Sequence, residues 1–330
     1  MKTHTVAVVD KFHQPSLDTI ARCLPKEWKL KISNSTDLAD MQSVIHDADV
    51  LFVMGVKIDD QFIKAAPKLR FIQKLGAGVD HIDLLTCQDH GITVARLGGG
   101  NAVPVAEHTL LLTLAALRHL PKLDLETRAG EWVRERARTV SRQLSQKIVG
   151  IIGFGAIGKA YAQLLKGFDV RVQYFDIVKA NAATCGFLNA SYVEFEDLLR
   201  SSDVISLHVP LNAETRHMIG KSELKLMRKE AVLINCARGG IVDESALIEA
   251  LQSESIHAAG LDVFSTEPPG INSPLFKLKN IVVSPHTAGG TVDNFEKVVL
   301  RAIENVCTLD SGLSLPANDI ACSPKSNHWK

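Results

Sequence analysis

Three charged side chains, Arg238, Glu267 and His286, stand in loops that follow apolar segments typical of buried strands. An arginine in such a loop can donate two hydrogen bonds to a carboxylate and polarise a neighbouring carbonyl. A histidine whose pKa is raised by a carboxylate can give or accept a proton near neutral pH, and Glu267 is the candidate carboxylate. Because Arg238 and His286 would supply the charge stabilisation, we expect no metal at this site.

Each of these residues also has a simpler interpretation. Arg238 precedes Gly239 and Gly240 and could form a salt bridge at a turn, whereas Glu267 precedes two prolines and could be a solvated loop residue. A lone histidine in a loop more often binds no ligand. Their combination favours catalysis, and His108 and His208 are kept as further candidate cleft residues.

The segment 147–176 predicts an element that binds a cofactor beside these side chains. An apolar run predicts a buried strand, and Gly153, Gly155 and Gly158 follow it with G-x-G-x-x-G spacing before a helical pattern. Gly153 would allow the tight turn, Gly155 would let the backbone approach a pyrophosphate, and Gly158 would let the helix pack closely on the strand. The positive end of that helix would face the phosphates.

Asp176 ends the second strand of this segment and predicts the choice of cofactor. A carboxylate at this position can accept hydrogen bonds from both ribose hydroxyls of NAD and repels the 2′-phosphate of NADP. Lys179 is close in sequence but does not replace the acid. With a nicotinamide next to a bound carboxylate and an acid–base histidine, the residues predict hydride transfer between a 2-keto acid and a 2-hydroxy acid.

The composition is typical of a soluble globular protein with two hydrophobic cores. The chain has 330 residues, 46% of them hydrophobic and 22% charged, and its net charge of zero disfavours nucleic acid and anionic membranes as partners. The six scattered cysteines form no CxxC pair, which argues against a disulfide framework and a zinc site and favours a cytoplasmic location. The N-terminus does not resemble a signal peptide, and the longest apolar run, 109–117, is too short to span a bilayer.

Alternating strand and helix patterns predict two doubly wound parallel sheets joined by right-handed crossovers. The predicted strands are 6–9, 28–32, 50–53, 71–75, 92–94, 148–152, 170–175, 203–208, 231–235, 256–262 and 281–284. The predicted helices include 16–22 with Ser16 as cap, 36–46, 59–66, 104–120, a charged helical stretch at 123–142, and 291–309. We expect six or seven strands in the second sheet and disorder in the polar segment from 316 to the end.

In these motifs the chain resembles the D-isomer-specific 2-hydroxyacid dehydrogenase family over nearly its full length. The resemblance implies an NAD-dependent oxidoreductase that interconverts a D-2-hydroxy acid and a 2-keto acid. The matching stretches are 75–83 (LGAGVDHID), 150–158 (GIIGFGAIG), 208–211 (HVPL), 235–244 (NCARGGIVDE), 260–264 (GLDVF) with Glu267-Pro268, and 285–288 (PHTA).

The resemblance also implies a role for each site residue. Arg238 would hold the substrate carboxylate and keto oxygen, His286 would protonate that oxygen, and Glu267 would hold His286 and raise its pKa. The expected cofactor residues are Gly153, Gly155, Ala156, Ile157, Gly158, Asp176, His208, Pro210, Thr215, Cys236, Ala237, Arg238, Asp262 and His286. The expected substrate residues are Lys74, Gly76, Ala77, Gly78, Val79 and Arg238.

The family resemblance further implies an inserted Rossmann domain and a homodimer. Residues 102–286 would form the NAD-binding domain, inserted into a substrate domain made of residues 1–101 and 287–330. The dimer would form through the NAD-binding domain, with the helix predicted at 104–120 at its seam.

The sequence leaves the identity of the substrate open. Lys74 suits a second anion, as in phosphoglycerate dehydrogenases, but Met54 stands where those members often carry arginine. A phosphoglycerate dehydrogenase-like enzyme and a hydroxypyruvate or glyoxylate reductase are therefore both kept. Formate dehydrogenases of this superfamily have glutamine at the position of Glu267. NAD-sensing corepressors have a tryptophan after the histidine, and this chain has none there. An NAD(H)-sensing binding protein is the alternative from another class.

Overall fold

The computed structural model describes residues 2–324, which form two compact units. Unit 1 contains the described residues up to Asn101 and those from Gly290 onward, and unit 2 contains Ala102–Gly289. The chain therefore leaves unit 1, builds unit 2 and returns.

Strands and helices alternate strictly over the first part of unit 1. The elements are β1 (Thr5–Val8), α1 (Gln14–Cys23), β2 (Lys29–Ile32), α2 (Leu38–Ile45), β3 (Val50–Val53), α3 (Asp60–Ala65), β4 (Phe71–Lys74), α4 (Leu84–Asp89) and β5 (Thr93–Ala95).

Unit 2 begins with three consecutive helices and then alternates. The elements are α5 (Ala102–Arg118), α6 (Leu120–Arg128), α7 (Arg134–Val140), β6 (Ile148–Ile152), α8 (Ala156–Leu165), β7 (Arg171–Phe175), α9 (Ala182–Leu188), β8 (Ala190–Tyr192), α10 (Phe195–Ser201), β9 (Val204–Leu207), α11 (Lys221–Leu226), β10 (Val232–Asn235), α12 (Glu244–Gln252), β11 (Ala258–Leu261) and β12 (Ile281–Val283).

Two elements complete unit 1, namely α13 (Val292–Asp310) and β13 (Ile320–Cys322). The sheet of unit 1 has the order β13-β5-β4-β3-β1-β2, in which β1 to β5 are parallel and β13 runs antiparallel to β5. The helix α13 buries Val298, Val299, Ala302 and Val306 against one face of this sheet. A stripe of apolar residues at helical spacing thus covers strands that are apolar on both faces.

The sheet of unit 2 has seven parallel strands in the order β12-β11-β10-β9-β6-β7-β8. Two hydrophobic clusters cover its two faces, one containing α5 and α8 and the other containing α10, α11 and α12. The chain reverses its direction of winding between β6 and β9, and ligands of such sheets bind outside the carboxyl ends of the strands at that point. The predicted fold class, two doubly wound parallel-sheet units, is confirmed.

A buried histidine fastens the end of α13 to the first strand of unit 1. His4 is 4% exposed, and its ring hydrogen-bonds to Asp49 and, at 2.8 Å, to Asp310 Oδ2. Burial favours the neutral ring, but the two carboxylates outweigh it, so the pKa of His4 is raised above 6.5. The protonated ring therefore stabilises the folded unit.

Four local predictions were wrong. Ser16 does not cap α1, because the helix already begins at Gln14 with Pro15 in its first turn, where proline is favoured. The stretch predicted as helical at 123–142 is divided into α6 and α7 at Gly130, whose φ is +87°. The three-residue strand β8 was missed because it is too short to show a period.

The expected disorder from residue 316 was the fourth error. The carboxylate of Asp319 is fully buried, pairs with Arg301 at 2.8 Å and accepts a hydrogen bond from Gly98 N, and these contacts fix β13 at the sheet edge. Residues 325–330, which belonged to the same prediction, lie outside the described residues. Among residues 2–324, no helix combines the length and apolar content that crossing a membrane requires.

Candidate active site

Most of the predicted site residues of unit 2 follow the carboxyl ends of its parallel strands. Such ends meet at one edge of a sheet, so the strands bring these residues together although they are distant in sequence. The residues within three positions of the strand ends are Gly153 after β6, Asp176 after β7, His208 after β9, Cys236 to Arg238 after β10, Asp262 after β11 and His286 after β12.

The turn between β6 and α8 requires small residues at two positions. Gly153 has a φ of +93°, which is unfavourable for other residues, and a Cβ there would lie 2.6 Å from the carbonyl of His208. A Cβ on Gly158 would lie 2.2 Å from Gly153 O, so α8 can approach the strand only with glycine there. A Cβ on Gly155 would meet no atom within 4 Å, and no side chain caps α8.

These features fit a dinucleotide. The first N–H groups of α8, including those of Ala156 and Ile157, have no side-chain acceptor, and the space in front of Gly155 is open. Backbone N–H groups and the positive helix end together favour phosphate oxygens.

Asp176 is half-buried at the end of β7 and is already engaged with the backbone. Its Oδ2 accepts from Phe154 N at 2.6 Å and its Oδ1 accepts from Val178 N at 2.9 Å. The carboxylate is thereby oriented beside the glycine turn, since Phe154 is the second residue of that turn. Each oxygen still has a lone pair for a further donor such as a ribose hydroxyl.

The backbone of His208 lies against Gly153, and its ring is neutral. Burial lowers the pKa of His208 to about 3. Its Nε2 lies 3.2 Å from Ser206 Oγ, and its buried Nδ1 has no hydrogen-bond partner within the described part of the chain. The next loop is tied by Thr215, whose hydroxyl donates to Pro210 O at 2.6 Å.

The loop after β10 presents Arg238 at the same edge. The Asn235 side chain orders this loop, because its Oδ1 accepts from Ala237 N and its Nδ2 donates to Arg238 O. One guanidinium nitrogen of Arg238 donates to Ala237 O at 2.7 Å. Cys236 and Ala237 are buried, and burial raises the pKa of Cys236 to about 12, so the thiol is neutral.

Glu267 and His286 form a hydrogen-bonded pair. His286 Nδ1 lies 2.6 Å from Glu267 Oε2, and Glu267 Oε1 accepts from Phe264 N at 3.0 Å. Burial alone would raise the pKa of Glu267, but the hydrogen bonds from His286 and Phe264 and the charges of His286 and Arg238 lower it below its usual range. The carboxylate therefore stays ionised, and its bond to Nδ1 leaves Nε2 of His286 for another partner.

Asp262 holds the loop that carries His286. The carboxylate is fully buried and accepts from Ser284 Oγ at 2.6 Å, Thr287 N at 2.9 Å and Ala288 N at 2.8 Å. His286 N donates to Asp262 O at 2.7 Å, and His286 has a φ of +53°, an uncommon conformation for a side chain of this size. The contact of Asp262 with the cofactor stays a prediction, and these hydrogen bonds also make Asp262 a positioning residue for the loop.

Two further residues, Ser284 and His108, support the same loop. The hydroxyl of Ser284 lies 2.8 Å from His108 Nε2 on α5. His108 had been kept only as a weak cleft candidate, and Ser284 had not been singled out. The buried strand end before Pro285 was the only available signal for Ser284.

The predicted substrate residues of unit 1 are Lys74, the last residue of β4, and Gly76–Val79 in the loop that follows. Lys74 is 7% exposed, its Nζ lies 3.5 Å from Met54 Sδ, and a Cβ on Gly76 would be 3.1 Å from Nζ. The ammonium group therefore lies beside the backbone of the Gly76–Val79 loop. The adjacent loop is fixed by Asp10, which accepts from the N–H groups of Met54, Gly55 and Val56.

Comparison with known proteins identifies the family. The sequence model of the NAD binding domain of D-isomer specific 2-hydroxyacid dehydrogenases matches residues 110–288, more than half of the chain. The chain belongs to the D-isomer specific 2-hydroxyacid dehydrogenase family. Unit 2 contains the NAD binding domain of this family, and NAD is its cofactor.

Relatives and solved structures agree with this assignment. A D-3-phosphoglycerate dehydrogenase of Archaeoglobus fulgidus is 39% identical over 259 residues, which are 78% of this chain and 48% of that protein. A glyoxylate reductase of Aeropyrum pernix is 36% identical over 323 residues, which are 96% of this chain and 90% of that protein. The D-lactate dehydrogenase of Aquifex aeolicus, solved with NAD and lactic acid, is 28% identical, has a TM-score of 0.84 and covers 97% of this chain and 100% of that chain.

The chain spans about half the length of two D-3-phosphoglycerate dehydrogenases that it matches, at 48% and 53%.

Proposed function

We propose that this protein is an NAD-dependent D-2-hydroxyacid dehydrogenase that interconverts a 2-keto acid and a D-2-hydroxy acid. The observation that carries this proposal is the Glu267–His286 pair at 2.6 Å, which lies with Arg238 at the carboxyl edge of the sheet, where ligands of such sheets bind. The identity to dehydrogenases and reductases of this substrate class supports it.

The substrate would be oriented through its carboxylate. Arg238 provides a planar fork of donors for the carboxylate and the neighbouring keto oxygen, and Ala237 O already fixes one of its nitrogens. We propose that the backbone N–H groups of Gly76, Ala77, Gly78 and Val79 complete the carboxylate site, as the family resemblance implies. The described residues up to Asn101 and from Gly290 would then form the substrate domain, and 102–289 the NAD domain.

The chemistry would need one hydride and one proton. When bound, the reduced cofactor supplies the hydride that forms the new C–H bond at the keto carbon. His286 Nε2 donates its proton to the keto oxygen, and Arg238 stabilises the negative charge that develops there. Glu267 keeps Nδ1 protonated and fixes the ring, so that the proton always leaves from Nε2. In the reverse direction His286 takes the hydroxyl proton.

The residues proposed to contact the cofactor lie in the first turn of α8 and in the loops that follow the strands of unit 2. The pyrophosphate would face Gly155 and the first turn of α8, and the ribose hydroxyls would face Asp176, which excludes the phosphate of NADP. The remaining proposed contacts are Gly153, Ala156, Ile157, Gly158, His208, Pro210, Thr215, Cys236, Ala237, Arg238, Asp262 and His286.

Within this class, we propose that the substrate is a short polar 2-keto acid. Lys74 offers a positive charge beside the Gly76–Val79 loop, but Met54 contributes a thioether and no second charge. One cation suits glyoxylate or hydroxypyruvate better than a phosphorylated acid, whose dianion is usually bound by several donors. Glyoxylate or hydroxypyruvate reduction is thus preferred over phosphoglycerate oxidation.

We also propose a cytoplasmic homodimer formed through unit 2. Large apolar side chains on α5, on α6 and in the loop before α7 are exposed, which is typical of a surface covered by a second copy. Their exposed fractions are 55% for Leu111, 54% for Leu120, 69% for Leu125 and 83% for Trp132. All six cysteines are unbridged, which supports a reducing compartment.

The test is a panel of 2-keto acids assayed by the loss of NADH absorbance, with NADPH in parallel. We expect turnover of glyoxylate or hydroxypyruvate with NADH, and much weaker turnover with NADPH. Saturable NADH binding without turnover of any acid in the panel would contradict the dehydrogenase proposal and favour an NAD(H)-sensing protein.

A further inference from the structure

Glu244, the first residue of α12, binds a loop that lies far from its own helix in sequence. The end of the helix is capped by the preceding residue, because Asp243 Oδ1 accepts from Ser245 N at 3.0 Å and from Ala246 N at 3.1 Å. Glu244 Oε1 instead accepts a hydrogen bond from Ser265 N, 21 residues later in the chain. The Glu244 carboxylate therefore joins two separate segments of unit 2.

The peptide group that donates this hydrogen bond packs against the residue that follows Arg238. A Cβ on Gly239 would lie 1.9 Å from the carbonyl carbon of Phe264 and 2.4 Å from Ser265 N, so this approach requires glycine. The short helical turn Gly239–Ile241, which leads from Arg238 towards α12, is buried. The loop of Arg238 and the peptide group between Phe264 and Ser265 are thus in direct backbone contact.

The segment that contains this peptide group also holds Glu267. Phe264 N donates to Glu267 Oε1 at 3.0 Å, and Glu267 Oε2 lies 2.6 Å from His286 Nδ1. Two consecutive N–H groups therefore bind two different carboxylates, since Phe264 N binds Glu267 and Ser265 N binds Glu244. A shift of this short segment would move Glu267 and, through it, the ring of His286.

A carboxylate in the first turn of a helix also interacts with the positive helix end. That interaction depends on the charge of Glu244 and contributes to stability, whereas the bond to Ser265 N depends on an acceptor oxygen. Glutamine removes the charge and keeps an acceptor oxygen, and alanine removes both. The two substitutions therefore separate the helix-end interaction from the contact with the loop.

We infer that Glu244 is a positioning residue for the proposed dehydrogenase reaction. Its carboxylate holds the loop of Glu267 against the loop of Arg238, and it thereby sets the position of the acid–base pair relative to Arg238. The keto acid needs both loops at once, because Arg238 binds its carboxylate while His286 protonates its keto oxygen. This inference rests on the proposed function, but the contact itself can be tested without turnover.

The first measurement is hydrogen exchange of the amide groups of residues 264–267, followed by mass spectrometry. Glu244→Ala removes the acceptor of Ser265 N, so these amides should exchange roughly tenfold faster than in the wild type. Glu244→Gln keeps an acceptor and should exchange at close to the wild-type rate. Glu249→Ala removes an exposed carboxylate elsewhere on α12 and is the matched control, which should leave the exchange unchanged.

The second measurement is hydride transfer in a single turnover, recorded as the loss of NADH absorbance with glyoxylate or hydroxypyruvate. We expect hydride transfer to be roughly tenfold slower in Glu244→Ala and within about twofold of the wild type in Glu244→Gln and Glu249→Ala. The affinity for NADH should fall far less than this rate in Glu244→Ala, because Asp176 and the glycine turn are unchanged.

The outcomes separate this inference from the proposed function. An active wild type with unchanged hydride transfer or unchanged exchange in Glu244→Ala would overturn the inference and leave the proposed function intact. Equal losses in Glu244→Ala and Glu244→Gln would also overturn it, because the charge at the helix end would then be responsible. A wild type that reduces neither acid would contradict the proposed function, and the exchange rates would still decide whether Glu244 fixes the loop.

Discussion

The loops after β6 and β12 both place functional groups at the carboxyl edge of the same sheet, but different contacts shape them. The loop after β6 turns because Gly153 has positive φ and Gly158 allows close packing, so its shape depends on neighbouring residues. The loop after β12 holds His286 at a φ of +53° through hydrogen bonds to Asp262, which lies 22 to 26 residues earlier than their donors. A local steric requirement can be predicted from residue spacing, whereas the contact of a carboxylate with a distant loop cannot.

The largest effect should come from adding a methyl group to the first loop. Gly158→Ala would place Cβ 2.2 Å from Gly153 O, so the turn must shift, and we expect the free energy of unfolding to fall by about 3 kcal/mol. Chemical denaturation measures this change. Gly155→Ala is the matched control, because its Cβ meets no atom within 4 Å. It should keep the stability and weaken NADH binding, and equal destabilisation by both variants would contradict the steric account.

Removal of one negative charge, that of Asp262, should destabilise the loop after β12 and lower activity. In Asp262→Asn the amide nitrogen must face donors such as Thr287 N or Ala288 N, which leaves at least one of them without an acceptor. We expect a loss of about 2 kcal/mol of stability. Displacement of the His286 ring should also lower kcat roughly 100-fold.

Asp197→Asn, an exposed substitution on α10, is the control and should leave both quantities unchanged. Wild-type kcat in Asp262→Asn would show that the buried carboxylate does not position His286.

The same contrast explains which features the sequence could predict. All strands except β8 and β13, and most helices, were predictable, because their apolar periods and turn residues are local. The predicted catalytic residues all follow strands, which parallel topology brings to one edge. The roles of Asp262, Ser284 and His108 could not be predicted, since their contacts join α5, the end of β11 and the loop after β12. Likewise, β13 is ordered by Asp319 and Arg301, and nothing in its polar sequence indicates that pairing.

Asp176 ends a strand that the local pattern predicts, and it also accepts a hydrogen bond from Phe154, 22 residues earlier. Its replacement should have an effect of intermediate size. In Asp176→Ala the ribose acceptor is lost and the repulsion of a 2′-phosphate disappears, so NADH affinity should fall roughly tenfold and the preference over NADPH should decrease. Fluorescence titration with both cofactors measures the two affinities. If their ratio stays at the wild-type value, Asp176 is not the ribose partner.

The smallest effect concerns His4, a long-range contact in unit 1. The pKa of His4 is raised above 6.5 in the folded state, so folding is stabilised by its proton below pH 6.5 and loses that contribution as the pH rises through the raised pKa. The free energy of unfolding of the wild type should therefore decrease over this range relative to His4→Asn. A difference between the two proteins that is independent of pH would contradict the assigned ion pairs with Asp49 and Asp310.

The most direct test of the proposed function compares wild type with His286→Gln in two measurements. Glutamine keeps a polar side chain but cannot donate a proton to the keto oxygen, so kcat should fall roughly 1,000-fold. Because Asp176 and the glycine turn, which are proposed to hold the ribose and the pyrophosphate, are unchanged, the affinity for NADH measured by fluorescence should fall far less than kcat. Turnover by His286→Gln at close to the wild-type rate, with NADH bound normally, would contradict the assignment of His286 as the proton donor.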